Sequence, residues 1–161
     1  MTDKAPKEAE RIRNELADIE RVVAHAQRDW KKFVNSGDDA YLKAVAYDLH
    51  GFYGGLERIF QTVADTIDDY IPSGQNWHKD LLAQMANEIK NIRPALISEE
   101  SASLLDEYMR FRHRIRNIYS FNLLPDRIEV LVQRLPDVFE KIRSDLADFA
   151  QFLEEVSGKR R

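Results

Sequence analysis

Between Tyr108 and Tyr119 the chain reads Tyr-Met-Arg-Phe-Arg-His-Arg-Ile-Arg-Asn-Ile-Tyr, which sets Arg110, Arg112, Arg114 and Arg116 around His113 and Asn117. Arginine presents a planar fork of donors that matches phosphate oxygens, histidine exchanges a proton near neutral pH, and an asparagine amide both donates and accepts. Residues of these types suit the holding of a phosphodiester and, through the histidine, the movement of a proton on it. On a helix, steps of about 100° per residue put Phe111, Ile115 and Ile118 on one stripe with Leu104, which is then the core face. Arg112, Arg116 and Tyr119 follow one edge of that stripe, and His113 and Asn117 stack one turn apart on the side away from it. Arg112 and Asn117 fall about 140° apart, so one helix alone does not bring them into a compact site. The same pattern also describes an amphipathic helix with a solvated basic face. Asp106 and Arg110 are spaced for an ion pair along such a helix.

Positioning this segment takes a core, and the periodicity of the chain describes one. From Glu8 to about Phe33, Ile12, Leu16, Ile19, Val22, Val23, Ala26, Trp30 and Phe33 recur at spacings of three and four, a long amphipathic helix. The cluster Asn35-Ser-Gly-Asp-Asp breaks it, and Asp38 or Asp39 can cap the next helix. That second helix carries Tyr41, Val45, Leu49, Phe52, Leu56, Ile59, Val63 and Ile67, and closes at Pro72. Its Gly54-Gly55 pair weakens the helix but permits close approach of another backbone. Trp77 to Ile92 reads as a shorter helix with Leu81, Leu82, Met85 and Ile89 inward, ended by Pro94. Ser98 starts the helix that holds the motif, which should fray near Phe121 to Leu124. A last helix runs from Ile128 to Val156, interrupted or kinked at Pro136. Long amphipathic helices with a short extra one predict an all-α, up-and-down antiparallel bundle. One domain over 1–156 with a disordered basic tail over 157–161 is the expected organisation.

The composition bounds what this bundle can do. The chain has 161 residues, a formal net charge of −4 and no cysteine, so thiolate and disulfide chemistry are out. An acidic chain is no general nucleic-acid coat, and any RNA contact must be local to the arginine cluster. No apolar run is long enough to span a bilayer and no apolar leader precedes the first helix, which predicts a cytoplasmic protein. No Glu-x-x-His pair, Walker loop, dinucleotide fingerprint, nucleophile elbow or zinc-ligand spacing occurs, so neither a metal nor a cofactor is expected. His50 reads as a bundle histidine, and Trp77-His78 as support for the bundle.

The spacing Arg112, four residues, Asn117, one residue, Tyr119 resembles the signature of HepT-like toxins of the HEPN superfamily, in which arginine, four residues, histidine, one residue and tyrosine follow one another. The blocks Asp48 to Phe60, Pro72 to Met85 and Ser120 to Arg127 extend the resemblance over most of the chain beyond Ala40. The resemblance implies a helical bundle that pairs as a homodimer, its two motif helices lining a shared cleft. It further implies a metal-independent endoribonuclease, the toxin of a toxin-antitoxin pair, neutralised by an MNT-type nucleotidyltransferase that adds AMP to Tyr119. The expected catalytic residues are Arg112, His113, Arg116 and Asn117. Asn117 stands where the signature has histidine and does not titrate near neutral pH, so His113, one turn earlier, is the substitute base. The alternative is a non-catalytic HEPN module that holds RNA, a nucleotide or a protein partner in the same cleft.

Overall fold

The stop and start signals around Gly37 work as written. In the computed structural model, which describes residues 3–119 and 122–158, α1 (Ala5–Ser36) ends where Gly37 turns left-handed at φ 69. The Gly37 N–H donates to the Phe33 carbonyl at 2.7 Å, the usual glycine stop. Asp38 then accepts from the Ala40 N–H at 2.9 Å and opens α2 (Asp39–Val63). α2 runs on as one π-helical turn, Ala64–Asp68, that ends on Asp69 at φ 55, short of Pro72.

α3 (Trp77–Met85) is shorter than the expected run to Ile92. The cause is Arg93. Its buried guanidinium pairs with Asp68 at 2.6 Å and donates to the carbonyls of Gln84, Asn87 and Pro94. Those acceptors hold the segment after Met85 in a loop, with Asn91 left-handed at φ 70.

α4 (Glu99–Ile115) starts as predicted, with Ser98 accepting from the Ser101 N–H at 3.0 Å. It stops earlier than the periodicity suggested. The Asn117 amide Nδ2 turns back to donate to the His113 carbonyl at 3.2 Å, and the Asn117 N–H takes the Arg114 carbonyl at 3.1 Å. These bonds satisfy last-turn carbonyls that a longer helix would have used. The buried face is therefore Leu105, Tyr108, Met109 and Phe111, while Ile115 is only partly covered and Ile118 is 37% exposed, outside the expected core stripe.

α5 (Pro125–Gly158) is continuous through Pro136. Proline lacks the N–H that would serve the carbonyl four residues back, Val132. Gln27 of α1 supplies it, donating Nε2 to that carbonyl at 2.7 Å. The helix also takes in Ser157 and Gly158, with the Ser157 hydroxyl on the Leu153 carbonyl at 3.0 Å. The remainder of the expected tail, 159–161, and Phe121 at the expected fraying point lie outside the described residues.

Contacts across the helices give their directions. Glu8 near the start of α1 accepts from Thr62 at 2.5 Å near the end of α2, and Arg13 pairs with Glu154 near the end of α5. Ser101 at the start of α4 donates to Asp145 at 2.7 Å, and Tyr108 reaches the Leu131 carbonyl at 2.8 Å. Both α2 and α5 thus run against α1, and α4 runs against α5, the predicted up-and-down antiparallel bundle. The core lies between these four helices and α3, with Phe52, Tyr108 and Phe139 in edge-on ring contact. No helix among the described residues is long and apolar enough to cross a membrane.

Candidate functional site: an arginine and histidine cleft between three helices

Arg112 leaves α4 toward α2 and comes to rest over Gly54. A Cβ at that position would collide with the guanidinium, so the glycine is the seat of the arginine. The second glycine serves a different neighbour: a Cβ at Gly55 would meet Ile19 Cγ1 at 2.7 Å. The glycine pair thus admits two side chains, from α4 and α1, rather than the backbone that the sequence suggested. Arg112 Nη1 donates to the His50 carbonyl at 3.2 Å, and its Nε is buried with no acceptor among the described residues. Burial lowers the Arg112 pKa, Glu57 opposes the shift, and Arg116 and Arg58 add to it.

Tyr53, Glu57, His78, Met109, Arg112, His113 and Arg116 line a closed cleft between α2, α3 and α4, packed too tightly to admit a water molecule. At its floor His78 Nδ1 lies 2.6 Å from Glu57 Oε2, with both side chains nearly buried at 11% and 6% exposure. The His78 ring is packed between Trp77, at 3.5 Å between centroids, and His113, edge-on at 4.6 Å. His113 and Arg116 are exposed at the rim. Burial raises the Tyr53 hydroxyl pKa, helped by the charges of Glu57 and Asp106.

Arg116 also lines a neighbouring groove of about 280 Å³, with Lys43, Tyr47 and His50 from α2 and an apolar floor that includes Ile115 and Leu123. Burial lowers the His50 pKa, and the charges of Arg112 and Arg116 push the same way. His50 is therefore a half-buried neutral imidazole facing this groove near pH 7.

Of the four residues expected to act together, Arg112, His113 and Arg116 share the cleft. Asn117 does not line it; its amide caps α4. Tyr119 lies beyond the helix and is 72% exposed, outside the cleft lining. Arg110 is held by Asp106 at 2.7 Å, the predicted ion pair. Sequence reasoning missed Glu57 and the position of His78. The only pointer was that both fall in blocks resembling HepT-like proteins.

The all-α, up-and-down bundle, with an arginine of α4 seated against α2, is consistent with the HEPN fold. The chain belongs to the HepT-like protein family, which matches residues 44–153, more than half its length. That span holds every residue of the cleft and leaves out α1. No curated protein and no solved structure matches the chain.

Proposed function

We propose that this chain is the toxin of a cytoplasmic toxin-antitoxin pair: a metal-independent endoribonuclease, built on one domain over residues 1–156, that works as a homodimer. The observation that carries the reading is the grouping of Arg112, His113 and Arg116 at one cleft, with His113 and Arg116 at its solvent rim. His113 takes the proton of a ribose 2′-hydroxyl while the arginines stabilise charge growing on the phosphoryl oxygens. Asn117 serves by holding the last turn of α4 through the His113 carbonyl, which fixes the helix end from which His113 and Arg116 project. Pairing of two chains brings two such rims to one RNA strand. The exposure of Tyr119 suits its modification with AMP by an MNT-type nucleotidyltransferase antitoxin, and the added phosphate opposes RNA by like charge.

The test is cleavage of RNA by the purified protein in chelator, beside Arg112→Ala, His113→Ala and Asn117→His. Cleavage that falls by about two to four orders of magnitude in both alanine variants supports the nuclease. Cleavage only by Asn117→His supports the second reading, a HEPN module that binds RNA, a nucleotide or a protein without cutting, which the commitment of the Asn117 amide to the helix cap favours.

A further inference from the structure

The buried pair at the floor of the cleft has no part in the reading above. Glu57 is a carboxylate inside the bundle, and a buried charge persists only with a partner. Its partner is His78 Nδ1 at 2.6 Å. An ionised carboxylate is acceptor-only, so it keeps a proton on Nδ1 and orients the ring. The ring is further fixed by Trp77 on one side, and its other neighbour is His113. The exposed histidine at the rim thus leans on a buried histidine that leans on a buried carboxylate.

We infer that Glu57 and His78 are positioning residues for His113, so that the three form the proton-handling unit of the site. The inference rests on the nuclease reading, in which His113 touches the substrate. In the step it serves, His113 takes the 2′-hydroxyl proton as the 2′-oxygen forms its bond to phosphorus. The P–O5′ bond breaks, its electron pair stays on O5′, O5′ takes a proton from solvent, and His113 returns its own. The products are a 2′,3′-cyclic phosphate and a 5′-hydroxyl end. The protonated His113 formed midway is a cation among cations. The titratable and charged groups near Glu57 are His50 and Tyr53 of α2, His78 of α3, and Arg112, His113 and Arg116 of α4. Glu57 acts on His113 through His78, whose ring the carboxylate orients and which in turn meets the His113 ring edge-on.

The experiment is RNA cleavage by the whole protein in chelator, with kcat and KM read separately, beside Glu57→Gln, Glu57→Asp and His78→Asn, and with binding of an all-deoxy oligonucleotide that cannot be cut. In Glu57→Gln and in His78→Asn kcat is expected to fall by at least about tenfold, with KM and oligonucleotide binding at the parent level. Glu57→Asp keeps the carboxylate and should recover part of the loss. Should Glu57→Gln not fold, His78→Asn, whose amide can still donate to Glu57, carries the test. A kcat unchanged in a folded variant overturns the inference. A parent protein that cuts no RNA defeats the nuclease reading instead, and the ring contact of His78 with His113, read by NMR in the parent and in Glu57→Gln, then decides on the pair.

Discussion

At the scale of the residue, the two adjacent glycines of α2 separate function from stability. Alanine at Gly54 collides with the end of the Arg112 side chain, which can swing away, and alanine favours a helix by about 1 kcal/mol over glycine. Gly54→Ala is therefore expected to melt at or slightly above the parent temperature while RNA cleavage falls toward the level of Arg112→Ala. Alanine at Gly55 instead meets Ile19 inside the core, and overpacking there costs roughly 1–3 kcal/mol. Urea denaturation of Gly55→Ala should show that loss. Arg112, His113 and Arg116 were legible in the sequence because their types and spacing lie within one helical segment. Glu57 and His78 were not. They sit 21 residues apart on different helices, and their meeting depends on where α3 docks, which no periodicity records.

At the scale of the element, α1 and α2 meet around two carboxylates. Asp48 Oδ2 is buried, and Asp29 of α1, also buried, lies close enough to its carboxyl to share a hydrogen bond with it. Burial, with the hydrogen bond and charge of Asp29, raises the Asp48 pKa from 3.8 to about 7, against the opposing charge of Arg28. The folded state therefore holds a proton that the unfolded chain releases at lower pH. Stability from this group is present below the unfolded value and is lost as pH rises toward the folded one. Asp48→Asn should match the parent in melting temperature near pH 4 and exceed it at pH 8, by an amount that grows across the interval. A constant difference would show that the pair does not share a proton. The helices themselves were readable from apolar spacing and from Gly37, Asp38 and Ser98. The ends of α3 and α4 were not, because Arg93 and Asn117 end them with side-chain bonds to backbone carbonyls, and such bonds leave no trace in the apolar pattern.

At the scale of the whole molecule, the bundle was legible from the number and period of its helices, and the tie between its parts was not. Arg93 and Asp68 are fully buried against each other and latch the segment after α3 to the π-helical end of α2. Breaking such a pair costs about 3–5 kcal/mol, so Arg93→Ala should lower the urea midpoint strongly. It should also loosen α3, and with it the contact of His78 with Glu57. The bond from Gln27 to the Val132 carbonyl joins residues 105 apart in the chain, and it has a consequence for how the fold is reached. Helix pairs formed by neighbours in sequence assemble quickly, whereas closure across a long stretch of chain waits for that stretch to order. In the folded protein α1 answers the carbonyl left open by Pro136, so the seam between α1 and α5 is expected to close late in folding. Changes at Gln27 are thus expected to act on the rate of unfolding more than on the rate of folding.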